Sequence, residues 1–178
     1  MADPAAVEPV KVFVAILWQD EDALDQAKRN LSNEWGRIDY EGPDHPFDTT
    51  HFYDEEMGTG LHRRIVSHED VVSPDFLPSA KHRCNHIEDE LKGTKGRRVN
   101  LDVGYLDHNK IVLASMKAAG QKIYLTDGVY ADLTARFGQG RYQPFEWTFP
   151  DLRDGRYDEE WARIREIYKR QRKARGIW

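Results

Sequence analysis

Residues 97–115 read Arg97-Arg98-Val99-Asn100-Leu101-Asp102-Val103-Gly104-Tyr105-Leu106-Asp107-His108-Asn109-Lys110-Ile111-Val112-Leu113-Ala114-Ser115. From Arg97 to Leu106 the pattern alternates: Val99, Leu101, Val103 and Tyr105 share one face, and Arg98, Asn100, Asp102 and Gly104 share the other. Asp107-His108-Asn109 turns this strand into a second, Lys110 to Ser115. Downstream, Gly120 precedes Lys122 to Thr126, and Asp127-Gly128 is a hairpin signal before Val129 to Phe137. Gly138-Gln139-Gly140 then leads to a strand near Arg141 to Trp147. Strands this close together cannot pair in parallel, because a parallel crossover needs a dozen or more residues. An antiparallel meander is predicted.

Upstream, Lys11 to Trp18 is a short, nearly continuous apolar run that reads as a buried strand. Asp20 is placed to cap a helix whose apolar positions are Leu24, Ala27, Leu31 and Trp35, with Gly36 ending it. Arg37 to Tyr40, Thr50 to Met57 and Leu61 to Val66 read as strands, the last two forming a hairpin across Gly58-Thr59-Gly60. Ser73-Pro74 and Pro78 mark the entry to a second helix. Its buried stripe is Ala80, Cys84, Ile87 and Leu91, and Gly93 stops it. A last helix over about 158–173 buries Trp161, Ile164 and Tyr168. Two or three helices covering one face of a largely antiparallel sheet make an α+β fold, here a single domain over residues 1–178. Residues 1–10 read as a flexible lead and 157–178 as a basic C-terminal helix.

Composition narrows the function classes. With 178 residues, 39% hydrophobic and 11% aromatic, the chain has ample material for a core and needs no covalent staple. Cys84 is the single cysteine, which rules out an intramolecular disulfide and a cysteine-based zinc site. Its place on a buried helical stripe makes it a small hydrophobe. Met1 to Pro9 has neither the positive flank nor the apolar stretch of a signal peptide, and no apolar run approaches the ~20 residues of a membrane span. Cytoplasmic residence is expected. The net charge of −5 hides a basic block, Arg163, Arg165, Lys169, Arg170, Arg172, Lys173 and Arg175. Such a block is either a solvated helix end that suits the helix dipole or a contact for nucleic acid or an acidic partner.

No phosphate-binding loop, dinucleotide fingerprint, H-E-x-x-H or nucleophile elbow is present. His82 and His86 stand at i, i+4 on the second helix and could share a divalent metal with His51 and an acid; their spacing is also common by chance. The polar residues beside the core are more informative. Lys81, Asn85 and Glu88 fall at i, i+4, i+7 and form a stripe next to the buried one. The following strand offers Arg98, Asn100 and Asp102, and the Thr50 to Met57 segment puts Asp54 and Glu56 on one face with Tyr53 and Glu55 on the other. If the helix crosses the polar face of the sheet, these groups converge. Such a cluster is either a satisfied structural network or a site. Trp147-Thr148-Phe149-Pro150-Asp151 is a third feature, a ligand-lining aromatic segment or a packed corner.

These residues carry a family resemblance. Thr50 to Gly58 resembles T-x-Y-Y-x-x-E-M-G; Lys81, Asn85 and Glu88 resemble K-x-x-x-N-x-x-E; Asn100 to Leu106 resembles N-x-D-P-G-Y-L. Val112 to Lys117, Lys122 to Leu125, Gly128 to Tyr130 and Trp147 to Asp151 follow in order. The pattern is similar to that of the prokaryotic domain-of-unknown-function family 4416 (DUF4416) over nearly the whole chain. Val103 stands where that pattern has Pro, and Phe149 where it has Tyr. The family carries no assigned activity, so the resemblance marks positions without naming a reaction: Glu56, Lys81, Asn85, Glu88, Asn100, Asp102 and Lys117 as one constellation.

The expectation is a polar pocket between the second helix and the meander. Lys81, Lys117 and Arg98 would hold a small anionic ligand, phosphorylated or a nucleotide, with Asn85, Asn100, Tyr53 and Trp147 completing the contacts. Glu56, Glu88 and Asp102 would act as acid/base groups or as ligands of a divalent metal, in a hydrolase or transferase. The alternative is an interaction module that binds nucleic acid or an acidic protein through the basic helix, 163–175.

Overall fold

The computed structural model describes residues 3 and 5–176. The expectations for Met1, Ala2 and Pro4 in the lead, and for Ile177 and Trp178 in the last helix, lie outside the described residues. In chain order the elements are β1 (Val10–Trp18), α1 (Glu21–Trp35), β2 (Ile38–Glu41), β3 (His45–Pro46), α2 (Asp54–Met57), β4 (His62–Val72), α3 (Leu77–Glu90), β5 (Val99–Leu106), β6 (Lys110–Ser115), β7 (Ile123–Thr126), β8 (Val129–Gly138), β9 (Arg141–Pro144), α4 (Pro150–Arg153) and α5 (Asp158–Ala174). The fold is α+β, with an antiparallel sheet.

The sheet runs β2-β4-β1-β5-β6-β8-β7, with β3 also on β4 and β9 on β8. β1 lies between β4 and β5, and every one of its nine residues is buried. Its continuous apolar run has a direct cause. Val12, Val14, Ile16 and Trp18 face α1 and α3, while Phe13 and Ala15 face Trp161, Ile164 and Tyr168 of α5. α1 and α3 share one face as expected, and α5 backs the other. The Phe13 and Trp161 rings meet edge to face at 4.9 Å, an arrangement that adds to simple area burial.

Local signals account for most element ends. Asp20 caps α1, accepting from the Ala23 amide at 3.1 Å, and Leu24, Ala27, Leu31 and Trp35 are its buried positions. Ala80, Cys84, Ile87 and Leu91 are buried along α3 and its C-terminus. Lys11, the one charge inside β1, is fully buried and satisfied by Asp39, the His68 carbonyl and Gln171. Pro9 O accepts from the Tyr168 hydroxyl at 2.7 Å, and Arg172 donates to Glu8 at 2.5 Å, so Glu8 and Pro9, just before β1, are tied to α5.

One segment differs from its sequence reading. Residues 50–57 form a bend and the single helical turn α2 rather than a strand, so there is no hairpin with β4. Asp54, Glu55 and Glu56 occupy the first turn, where the helix dipole favours carboxylates. Met57 then anchors the turn against Leu17 and Leu61. The proposed alternation of Asp54 and Glu56 against Tyr53 and Glu55 does not exist on a helical turn.

Candidate functional site

The site arises from a fork in the sheet. β5 pairs with β6 only through Gly104–Leu113, Tyr105–Val112 and Leu106–Ile111. Before Gly104 the two strands part, leaving β5 residues 99–103 without β6 as a neighbour. Gly104 sits at the fork, where a Cβ would come within 2.4 Å of the Val112 carbonyl and 2.8 Å of the Phe13 ring. A cleft of about 270 Å³ opens between the strands.

α3 closes the fork. It packs on the apolar face of β5, against Val99, Leu101 and Val103, and not across the polar face. Its polar stripe reaches the cleft because the ladder is open there. Glu88 Oε1 accepts from the Leu101 amide at 2.6 Å, and Lys81 Nζ donates to the Leu101 carbonyl at 3.3 Å. These two side chains replace a strand as the partner of Leu101, as an otherwise unpaired buried peptide unit requires.

Lys81, Asn85, Glu88, Asn100, Asp102, Lys117 and Tyr53 all line this cleft. Three residues expected there are elsewhere. Arg98 precedes β5, so the strand's alternation does not extend to it, and it pairs with Asp20 and Asp22 at the start of α1. Arg97 takes the inward place, donating to Glu56 at 2.9 and 2.7 Å, to Asn100 Oδ1 at 2.8 Å and to Glu88 at 3.4 Å. Glu56 is held on the outer side of Arg97, in a neighbouring depression. Trp147 stacks on Phe145 and donates to the Leu133 carbonyl at 2.8 Å, outside the cleft; Phe149 lines it instead. The histidines do not gather. His51 pairs with Asp54, His86 with Glu90, and His82 donates to the Asp127 carbonyl. Among the described residues no three His, Cys, Asp or Glu side chains group as a metal site would need.

Two of the cleft carboxylates, Glu88 and Asp102, are driven apart in proton affinity. Burial pushes Glu88 above the usual carboxylate range, and Asp102 adds to this, while Lys81, the Leu101 amide and Arg97 restrain it. Burial also works against the charge on Asp102. There it is outweighed by Arg63, Lys81 and hydrogen bonds from Arg63 and Asn100, so Asp102 lies below the usual range. Arg63 is the hidden support. Its side chain is 5% exposed and bridges Asp102 at 3.0 Å and Asp151 at 2.9 Å, with Asp151 also accepting from the Tyr157 hydroxyl at 3.2 Å. Burial and the Asp102 charge push the Tyr53 hydroxyl up to about 12. Burial also pushes the Cys84 thiol up, in keeping with an unreactive core residue.

Sequence reasoning missed Arg97, Arg63, Lys122, Asp132 and Phe149. Phe149 lay within the quoted aromatic motif, and Arg97 stood one residue from the chosen Arg98. Lys122 stood in the quoted stretch Lys122 to Leu125, and nothing local marks Arg63 or Asp132.

The fold and site define an antiparallel α+β protein with a polar cleft in a forked sheet. The chain belongs to the family described as Domain of unknown function (DUF4416), whose model matches residues 8–168. No curated protein and no solved structure is significantly similar to it. No helix among the described residues is long and apolar enough to cross a membrane.

Proposed function

We propose that the forked-sheet cleft binds a small anionic ligand, a phosphorylated compound or nucleotide, and that Glu88 exchanges a proton with it in a hydrolytic or transfer reaction. The observation that carries the reading is the state of two lysines. Arg97 is consumed by Glu56 and Glu88, and Lys122 lies 3.5 Å from Asp132. Lys81 instead ends on a backbone carbonyl, and Lys117 lies 4.6 Å over the Phe52 ring. Among the described residues neither makes a direct ion pair, although Lys81 lies close enough to favour the charged forms of Glu88 and Asp102, so both ammonium groups can turn to an incoming anion. Glu88 and Asp102 then supply the contrast acid/base chemistry uses: one carboxyl shifted toward keeping its proton and one shifted toward staying ionised. Phe52 and Phe149, 65% and 54% exposed, add open ring faces on which a base or apolar group can stack.

The test is thermal melting of the full chain against increasing inorganic phosphate and pyrophosphate. A ligand of the native state raises the melting temperature with concentration. The rise is expected in the parent and lost in both Lys81→Ala and Lys117→Ala. A rise that survives both substitutions, or none in the parent, overturns the reading.

The interaction-module alternative draws less support from α5. Arg172 is buried, Arg165 stacks at 3.7 Å on Phe137 and donates to the His108 carbonyl, and Lys169 pairs with Glu166. Much of the basic block holds the helix in place.

A further inference from the structure

Lys117 Nζ lies 4.6 Å over the Phe52 ring, and both residues line the cleft. Each is set on a fixed base. The Lys117 amide donates to Ser115 Oγ at 3.1 Å, at the end of β6. The Phe52 amide donates to Thr50 Oγ1 at 3.2 Å, and its ring stands edge-on to Tyr53 at 5.1 Å. Tyr53 in turn meets Phe47 at 5.9 Å, and both pack on Leu17, Met57 and Leu61. Phe52 is thus the outermost ring of a packed aromatic row. A single exposed phenylalanine is ordinary. Here Phe52, Met116 and Phe149, all exposed, line one cleft whose interior is polar, and exposed apolar groups gathered in this way mark a binding surface.

Exposure grades the lining of the cleft. Glu88 and Asn100 are buried, Lys81 is half-buried, and Phe52 and Phe149 are exposed. An anion drawn to Lys81 therefore enters, and the rings stay at the mouth. An ammonium over an exposed ring is weakly held compared with one that meets a phosphate. An anion that reaches Lys117 draws it off Phe52 and uncovers the ring face. A bare phosphate leaves that face to water, whereas a ligand with a flat ring beyond its phosphate covers it. We propose that Lys117 and Phe52 form an exchange grip: the ammonium passes from ring to phosphate, and a base takes its place on the ring. The ligand class is then a nucleoside phosphate, in preference to a sugar phosphate or a free anion. This rests on the anion-binding reading above and names its substrate class. Stacking of this kind accepts any base, because every base has a π-face.

Titration calorimetry on the full chain with inorganic phosphate, ribose 5-phosphate and AMP tests this. AMP is expected to bind at least about fivefold more tightly than ribose 5-phosphate, the lower end of what one stacked base contributes. Phe52→Ala and Phe52→Leu should both bring that ratio close to one. Leucine keeps apolar bulk without a ring face, so it separates stacking from general apolar contact. Binding of AMP alone is the same preference at its extreme and is judged by the same two variants. Equal affinities for AMP and ribose 5-phosphate in the parent, or a ratio that survives in either variant, overturns this inference alone. No binding of any of the three overturns the anion-binding reading and this inference with it.

Discussion

Asp102 and Glu88 sit in one cleft and share Lys81 as a neighbour, yet their surroundings push them in opposite directions, and the consequence is measurable. Asp102 lies below its ordinary 3.8 in the folded chain, so the stability it contributes is present above 3.8 and lost as pH falls through the lower, folded value. Glu88 lies above its ordinary 4.5, so its contribution is full below 4.5 and lost as pH rises through the higher, folded value. Two nearly isosteric substitutions separate these effects. Asp102→Asn strips Arg63 of one of its two carboxylates and should cost about 1.5–3 kcal/mol at neutral pH, the scale of a hydrogen bond to a charged group, with the deficit shrinking on acidification. Glu88→Gln keeps an acceptor oxygen for the Leu101 amide and cannot ionise. Relative to the parent it should gain stability as pH rises past 4.5. Urea unfolding at a series of pH values measures both. Parallel profiles for the two variants would show that the environments do not differ as described.

Among the elements, the separation of β5 from β6 decides that there is a cleft at all. Gly104 ends their pairing, and an added Cβ would strike the Val112 carbonyl, which is backbone and cannot swing aside. Gly104→Ala should therefore destabilise by about 1–3 kcal/mol, as overpacking does. It should also weaken phosphate binding, because Leu101 and its two side-chain partners shift with β5. Calorimetry on the same variant reads both effects, and an unchanged melting temperature would show that the fork tolerates a side chain. This fork was not legible in the sequence, although both strands were. Strand patterning is local: alternation from Val99 to Tyr105 and apolar density from Ile111 to Ala114 place two strands and even mark the polar face. How far they run together is set by what lies behind Gly104. The helices were legible for the same local reason, through Asp20 as a cap and the Ala80–Cys84–Ile87–Leu91 stripe. Residues 50–57 misread as a strand because Phe52 and Tyr53 carry strand propensity and Gly58-Thr59-Gly60 follows as a turn, while the buried residue there is Met57. The Arg63 bridge joins positions far apart in the chain, and no spacing rule reaches that far.

For the molecule as a whole, β1 needs cover on two faces. On the α5 side Phe13, Ala15, Ile65, Leu106 and Leu113 are buried against Tyr157, Trp161, Ile164 and Tyr168. Each large apolar side chain moved from water into such a layer contributes roughly 1.5–3 kcal/mol, and a domain's net stability is only about 5–15 kcal/mol. α5 thus covers one face of the sheet's core, and its charges follow from that position. Arg172 is turned inward beside Tyr168, and Tyr168 holds the Pro9 carbonyl, so the helix also fixes the entry to β1. A helix whose only task was to meet a partner could be removed with the sheet left standing. Here a chain cut after Arg156 should lack a cooperative thermal transition by circular dichroism and expose its apolar face to a hydrophobic dye. Trp161→Ala is the milder form of the same test. Loss of a ring packed edge-on to Phe13 should cost about 3–5 kcal/mol. A truncated chain that still melts cooperatively would return α5 to the role of an appended contact surface, with its basic residues open to a nucleic acid or acidic partner.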